Sequence, residues 1–350
     1  MIARQNHNTI KRSIPTTGYK IRAFIMDTRK LGFTDLKLTT VGLGTWAMGG
    51  PWEFGWGPQD DGEAVAAILQ ATELGINWID TAAIYGCGHS EELLGQALKQ
   101  IKQKPIIATK CSLLWNEKRE KINCLKAKSI RNECHNSLKR LGIETIDLWQ
   151  IHRPEPDSDI EEAWEEMAKL AKEGKARYLG VSNFSLEQIK RVQKIHPVAS
   201  LQPAYSMLHR EVENELLGYC EKNKIGVVAY SPMQRGLLTG RFSRERFASL
   251  APDDHRIKAN DFQEPQFSAT LELVEKLKPI AMRNGRKPSQ LAISWVLRRK
   301  EVTSAIVGAR NPGQITETAP AGDWKLSKED IEEIELLLAE RLEKIRQHKK

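Results

Sequence analysis

The chain has 350 residues, 40% of them hydrophobic and 28% charged, which is the make-up of a globular protein with a sizeable core and excludes a disordered chain. No apolar run is long enough to cross a bilayer, and the N-terminus lacks the uninterrupted apolar stretch and cleavage site of a signal peptide, so a cytoplasmic protein without a membrane partner is expected. The net charge of +8 does not indicate a nucleic-acid partner: Arg4, Lys11, Arg12, Lys20 and Arg22 account for five of the excess charges, and the other three are dispersed among mixed signs with no basic aromatic stripe.

Residues 1–25 read as a disordered leader, or as sequence upstream of a functional start at Met26. They lack the amphipathic Arg/Ser-rich pattern of a transit peptide. Residues 27–350 read as one domain. Within it, 27–40 alternate apolar and polar residues around Gly32 and Asp35, as a hairpin capping a barrel floor would. Short, mostly apolar runs then follow at 41–44, 78–81, 106–109, 147–151, 178–181, 200–203, 227–230 and 305–307. Such runs suit parallel strands buried on both faces. Between them, 63–74, 90–98, 128–141, 160–172, 185–194, 214–223 and 290–299 show helical spacing. Gly75, Gly142 and Gly174 stand as stop signals, Gly95 lies near the end of the second helix, and Ser185 is an N-cap candidate.

Strict alternation of strand and helix implies a parallel sheet, and eight units favour a closed α/β (β/α)8 TIM barrel. A doubly wound sheet is the weaker alternative, because no GxGxxG follows the first strand, only Gly44-Thr45-Trp46. Residues 243–266 read as a polar, Arg- and Asp-rich loop of lid length. Residues 327–348 read as a C-terminal helix capped by Ser327.

Active sites of such barrels lie at the C-terminal strand ends. The second strand runs into Asp80-Thr81-Ala82-Ala83-Ile84-Tyr85-Gly86, the third into Thr109-Lys110 and the fourth into Ile151-His152. Singly, each polar residue has a structural explanation. Together, an acid, a phenol, an ammonium and an imidazole at three neighbouring strand ends suit carbonyl reduction. Hydride addition builds charge on oxygen, and a phenol beside that oxygen supplies the proton. Lys110 is expected to lower the Tyr85 pKa, Asp80 to hold Lys110 charged, and His152 to bond the same oxygen.

The five cysteines are odd in number and lack zinc-ligand spacing, so they read as reduced thiols, with Cys87 and Cys111 near the candidate site but more readily explained by burial. No metal site is expected, since His152 has no ligand-spaced partners and no HExxH occurs.

From Arg29 to Leu342 the chain resembles the aldo-keto reductase superfamily. The resemblance is carried by Gly75-Ile-Asn-Trp-Ile-Asp-Thr-Ala-Ala-Ile-Tyr-Gly, Ser90-Glu-Glu-Leu-Leu-Gly, Ile107-Ala-Thr-Lys110 and Asp147-Leu-Trp-Gln-Ile-His152. It implies Asp80, Tyr85, Lys110 and His152 as a catalytic tetrad with Tyr85 as general acid, NADP(H) as cofactor and a small carbonyl compound as substrate. It further implies that Ser182, Asn183 and Gln202 hold the nicotinamide carboxamide, with Asp80 beside it, and that Tyr230 stacks on the ring. The 231–241 loop, with Ser231, Pro232, Gln234, Gly236 and Arg241, is expected to close on the pyrophosphate. Gly44, Thr45, Trp46 and Gly308 are expected to flank the cofactor. Arg310 is expected to grip the 2′-phosphate and so favour NADPH, with Gln314, Glu317 and Thr318 near the adenosine. Thr318 departs from the Asn often found there.

Trp46, Trp52, Phe54, Trp56 and Tyr205 are expected to wall a substrate pocket, with Tyr85 and His152 at its base. Two other function classes fit parts of the pattern. One is an NADP(H)-binding regulatory subunit resembling potassium-channel β subunits. The other is a Schiff-base lyase using Lys110.

Overall fold

The computed structural model describes residues 26–348, and the reading of 1–25 lies outside them. A hairpin opens the fold, β1 (Thr28–Lys30) against antiparallel β2 (Lys37–Thr39). The alternation β3 (Val41–Gly44), α1 (Asp61–Glu73), β4 (Trp78–Asp80), α2 (His89–Leu98) and β5 (Ile106–Cys111) follows. A second hairpin, β6 (Leu113–Trp115) and β7 (Lys121–Asn123), interrupts it before α3 (Ala127–Leu141). The chain continues through β8 (Ile146–Ile151), α4 (Ile160–Lys172), β9 (Ala176–Ser182), α5 (Leu186–Gln193), β10 (Ser200–Gln202), α6 (Leu216–Lys222) and β11 (Gly226–Ala229). It ends with α7 (Arg244–Ala248), α8 (Gln266–Arg283), α9 (Pro288–Leu297), β12 (Val302–Gly308), α10 (Pro312–Thr318) and α11 (Lys328–Gln347). Strands β3, β4, β5, β8, β9, β10, β11 and β12 close a parallel barrel in that order, with β12 beside β3.

The period of two along each strand sorts side chains to opposite faces. Ile79, Ile107, Trp149, Leu179, Leu201, Val227 and Val307 point outward and pack under the helices in the main core. Trp78, Ala108, Leu148, Val228 and Ile306 point inward and fill the barrel. The first hairpin plugs the floor, as the alternation around Gly32 predicts: Leu31, Leu36 and Leu38 join the inward cluster and are at most 4% exposed. Two glycines make room for this packing. A Cβ on Gly42 would stand 2.0 Å from the Trp78 ring, and one on Gly226 would stand 2.3 Å from Leu31. The Trp78 indole N–H finds Ser304 Oγ at 3.0 Å, so its burial leaves no unpaired donor.

Four local findings differ from the sequence reading. Gly95 lies inside α2, where a Cβ would stand 2.5 Å from the Arg140 carbonyl, so this glycine admits the C-terminal end of α3 instead of stopping a helix. Residues 243–266 are not an irregular loop: α7 and two short 3-10 turns pack Phe242, Phe247 and Phe262 against Phe267. The long helix α8 contains Pro279, which interrupts the helical pattern. The β6–β7 hairpin, which the sequence reading leaves unassigned, pairs the short apolar run Leu113–Trp115 with Lys121–Asn123 across the polar turn 116–120.

Candidate active site

The site arises by continuing the inner-face periodicity two residues beyond the apolar layer. Trp78 gives way to Asp80, Ala108 to Lys110, Leu148 to Gln150, and Val228 to Tyr230. Register brings them together, because Asp80 pairs with Ala108 and Lys110 with Gln150. Lys110, 1% exposed, therefore reaches back to Asp80 at 2.6 Å, to the Thr81 carbonyl at 2.9 Å and to the Tyr85 hydroxyl at 3.2 Å. All three donors of the ammonium are used, which makes its burial tolerable. The Tyr85 ring meets the His152 imidazole edge-on at 5.6 Å between centroids. Gly49 and Gly86 let the loop after β3 lie on the Tyr85 peptide: a Cβ on Gly86 would stand 2.0 Å from the Gly49 carbonyl.

Burial pulls the Lys110 pKa down, but Asp80 and Tyr85 more than restore it, so the ammonium stays charged with its pKa above the ordinary lysine value. Burial raises the Tyr85 pKa, and Lys110 opposes that shift without overcoming it. The net direction is upward, opposite to the sequence expectation, because desolvation of a phenolate outweighs one cation already shared with Asp80. Burial, then Lys110, Arg153 and Lys121, hold the His152 pKa well below the ordinary value, so the imidazole is neutral at neutral pH.

A second network continues from Asp80 along the wall. Gln202 Nε2 donates to Asp80 Oδ1 at 2.8 Å, and Ser182 Oγ donates to the Gln202 carbonyl at 2.9 Å. Asn183 Nδ2 donates to Ser182 Oγ at 2.9 Å and to the His152 carbonyl at 3.0 Å, while Asn183 Oδ1 accepts from Tyr230 OH at 2.8 Å. Asn183 adopts φ 62°, an αL position that Asn tolerates.

These groups line one cavity of about 500 Å³. Trp46, Trp52, Phe54 and Trp56 form one wall, and Ile84 and Leu113 extend it. On the other side the segment after β11 turns through positive φ at Ser231, Gln234, Arg235 and Gly236. It presents Ser231, Pro232, Gly236 and Arg241 to the cavity. Gly44, Gly308, Gln314, Glu317 and Thr318 complete that end. Gly308 has no atom within 4 Å of where a Cβ would stand, so backbone is open to a ligand there.

Four expected residues lie elsewhere. The Thr45 hydroxyl is buried behind the wall with Ser90 and the Asp80 carbonyl. The Gln234 side chain turns away to Asp261 and Ser206, bracing the segment from behind. The Arg310 guanidinium donates to Gln59 Oε1 at 2.6 Å and to the carbonyls of Trp56 and Pro58, so it ties β12 to the aromatic loop. Tyr205 is fully buried against Trp295 with Arg298 and Glu213, and no part of it walls the pocket. Conversely, Lys121, Arg153, Arg246, His255 and Arg256 line the cavity without having been singled out in sequence. Arg153 directly follows His152, and the other three beyond Lys121 belong to the Arg-rich lid segment.

The match to known proteins agrees with this geometry. Residues 40–339 fit the model of the aldo/keto reductase family. Aldo-keto reductase YhdN of Bacillus subtilis (strain 168) is 37% identical over 316 residues, covering 89% of this chain and 94% of that protein. The NADH-specific methylglyoxal reductase of Escherichia coli (strain K12) is 35% identical over 318 residues, covering 86% and 94%. Among solved structures, the glycerol dehydrogenase AKR11B4 from Gluconobacter oxydans superimposes with a TM-score of 0.82 at 39% identity, over 90% of this chain and 96% of that one. A closed eight-stranded barrel, a buried acid–lysine–tyrosine row at its mouth and these similarities over most of the chain have one common explanation, which is that the chain belongs to the aldo/keto reductase family.

Proposed function

We propose that the protein reduces the carbonyl group of a small aldehyde or ketone, reversibly, with NADPH. The observation that carries this reading is the hydrogen-bonded row Asp80–Lys110–Tyr85 ending beside a neutral His152 at the base of the cavity. Tyr85 Oη is the proton donor. Its raised pKa keeps it a phenol in the resting site, and Lys110 stabilises the phenolate as the proton leaves. His152, uncharged, offers an N–H to the substrate oxygen, orienting it and stabilising the charge that develops there. Asp80 is a positioning residue, since it acts on Lys110 rather than on the substrate.

The residues present fit a dinucleotide. Ser182, Asn183 and Gln202 offer the mixed donors and acceptors that a carboxamide needs. Tyr230 offers a ring face beside them. Arg235 and Arg246 supply positive charge where glycine-rich backbone leaves room for phosphates, while Arg241 and Arg256 line the same end paired with Glu317 and Asp254. When bound, the nicotinamide supplies the hydride. Trp46, Trp52 and Leu113 pack with Tyr85 at the base of the site, giving it an apolar wall.

A preference for NADH is the second reading, and a specific observation favours it. Arg310, expected to hold the 2′-phosphate, is already engaged by Gln59 and two carbonyls. A Schiff-base role for Lys110 is disfavoured, because the amine is held charged and lies behind the cavity wall. The test is oxidation of NADPH and of NADH, followed by absorbance, against a panel of small aldehydes, ketones and sugars. Turnover favouring NADPH supports the proposal, and turnover favouring NADH supports the second reading. Tight cofactor binding with no turnover on any compound would move the assignment to a regulatory subunit.

A further inference from the structure

Two cations that line the cavity have no carboxylate partner among the described residues. Arg153 follows His152 and lines the cavity. Among the described residues its guanidinium bonds no carboxylate, and its hydrogen bonds are made by the backbone, whose N–H donates to Ser112 Oγ and whose carbonyl accepts from it. Lys121, on the β6–β7 hairpin, sets its ammonium 5.9 Å from the centre of the Phe54 ring, also without a carboxylate partner among those residues. Phe54 touches Trp52, and Trp52 touches Tyr85 at 6.1 Å between centroids, so the Lys121 end adjoins the base of the site through one aromatic wall.

The nearby acids are occupied otherwise. Glu155 lines the cavity but accepts from Asn123 Nδ2 at 2.6 Å. Glu53 accepts the Lys121 backbone N–H at 2.9 Å, which anchors the hairpin to the aromatic loop. Asp80 is spent on Lys110. Burial, with Lys110, Arg153 and Lys121 adding to it, disfavours a proton on His152, so these cations stand close enough to act on the base of the site. Cations without carboxylate partners beside an aromatic wall favour a ligand that brings its own negative charge.

We infer that the carbonyl substrate carries an anionic group, a carboxylate or a phosphate, which is bound by Arg153 and Lys121 while its carbonyl faces Tyr85 and His152. The inference rests on the reductase reading above and names the substrate class for that site. Aromatic walls hold the body of such a substrate between its two polar ends.

Two matched pairs test it: 4-carboxybenzaldehyde against its methyl ester, and glyceraldehyde 3-phosphate against glyceraldehyde. For at least one pair we expect kcat/KM to favour the anion by about tenfold or more, chiefly through KM, with the preference falling as salt is added. Whichever pair shows the larger preference identifies the anion. Arg153→Met and Lys121→Met should each shrink the ratio of kcat/KM between the anion and its neutral partner, chiefly through the KM of the anion, while Arg153→Lys should retain most of that ratio. Equal or better turnover of both neutral partners would overturn the inference. If no carbonyl compound is turned over, the reductase reading fails, and the same pairs are titrated against the cofactor-loaded protein by quenching of Trp46, Trp52 and Trp56. Tighter binding of the anions then upholds the inference, and equal affinities overturn it.

Discussion

The floor and the mouth of this barrel are built by the same strands, and two residues separate packing from chemistry. At the floor, Trp78, Ala108 and Leu148 meet Leu31, Leu36 and Leu38 of the hairpin plug in a dry, close-packed cluster. One step of the pleat higher, Asp80, Lys110 and Gln150 stand on the same inner face, and each is paired. The closed apolar layer keeps water from below and provides a low-dielectric bed, which strengthens interactions among the charges above it. The floor supplies stability, and the mouth spends some of it on holding a charged pair inside the protein.

The predictions separate these two layers, beginning with the largest effect. Lys110→Met leaves the Asp80 carboxylate buried without its cation, so it should cost about 3–5 kcal/mol of unfolding free energy and also remove most carbonyl reduction. Denaturant unfolding and turnover measured on one preparation check this, and a stable, active variant would break the proposed division of labour. Trp78→Ala, one pleat below, should cost a similar or slightly smaller amount, about 3–5 kcal/mol, through the cavity it opens. Below its unfolding transition it should retain kcat within a few-fold of the parent, because the Asp80–Lys110–Tyr85 row is not touched.

The smallest expected effect concerns the lid segment. His209 Nε2 lies 3.1 Å from Asp261 of that segment, which also accepts from Gln234. The hydrogen bond that His209 donates to Asp261 raises the His209 pKa above 6.5, Glu211 adds to this, and burial and Arg235 oppose it. Asp261 is lowered below 3.8 despite its burial, chiefly through His209, Gln234 and Arg235. The stabilisation contributed by the His209 imidazolium is therefore full below 6.5 and lost as pH rises through the raised value. It is lost again in acid, as Asp261 takes up a proton. Thermal unfolding of the parent and of His209→Gln should differ most near pH about 5.5 and least near pH about 8.5. A difference that grows with pH would contradict the pairing.

Much of the fold was legible because eight apolar runs alternate with helical spacing, and each lies at or within a few residues of a barrel strand. The acid, phenol, ammonium and imidazole were legible because strand ends in a parallel barrel converge, so local sequence fixes which residues meet. What escaped has identifiable causes. The β6–β7 hairpin has only a three-residue apolar run before a polar turn and is held by tertiary contacts such as Glu53 to the Lys121 N–H, which no local pattern records. The lid segment packs through Phe242, Phe247, Phe262 and Phe267, spaced too irregularly for either period. Thr45, Gln234, Arg310 and Tyr205 sit next to the cavity in sequence but face away from it, because position along the chain sets proximity and not the direction of a side chain.

The most direct test of the account is Tyr85→Phe assayed twice on one sample, for carbonyl reduction and for NADPH binding by fluorescence. The account predicts a loss of turnover of about a hundredfold to ten-thousandfold, with the cofactor affinity nearly unchanged, since only the hydroxyl that delivers the proton is removed. Turnover within a few-fold of the parent would contradict it and require another proton donor at the base of the cavity.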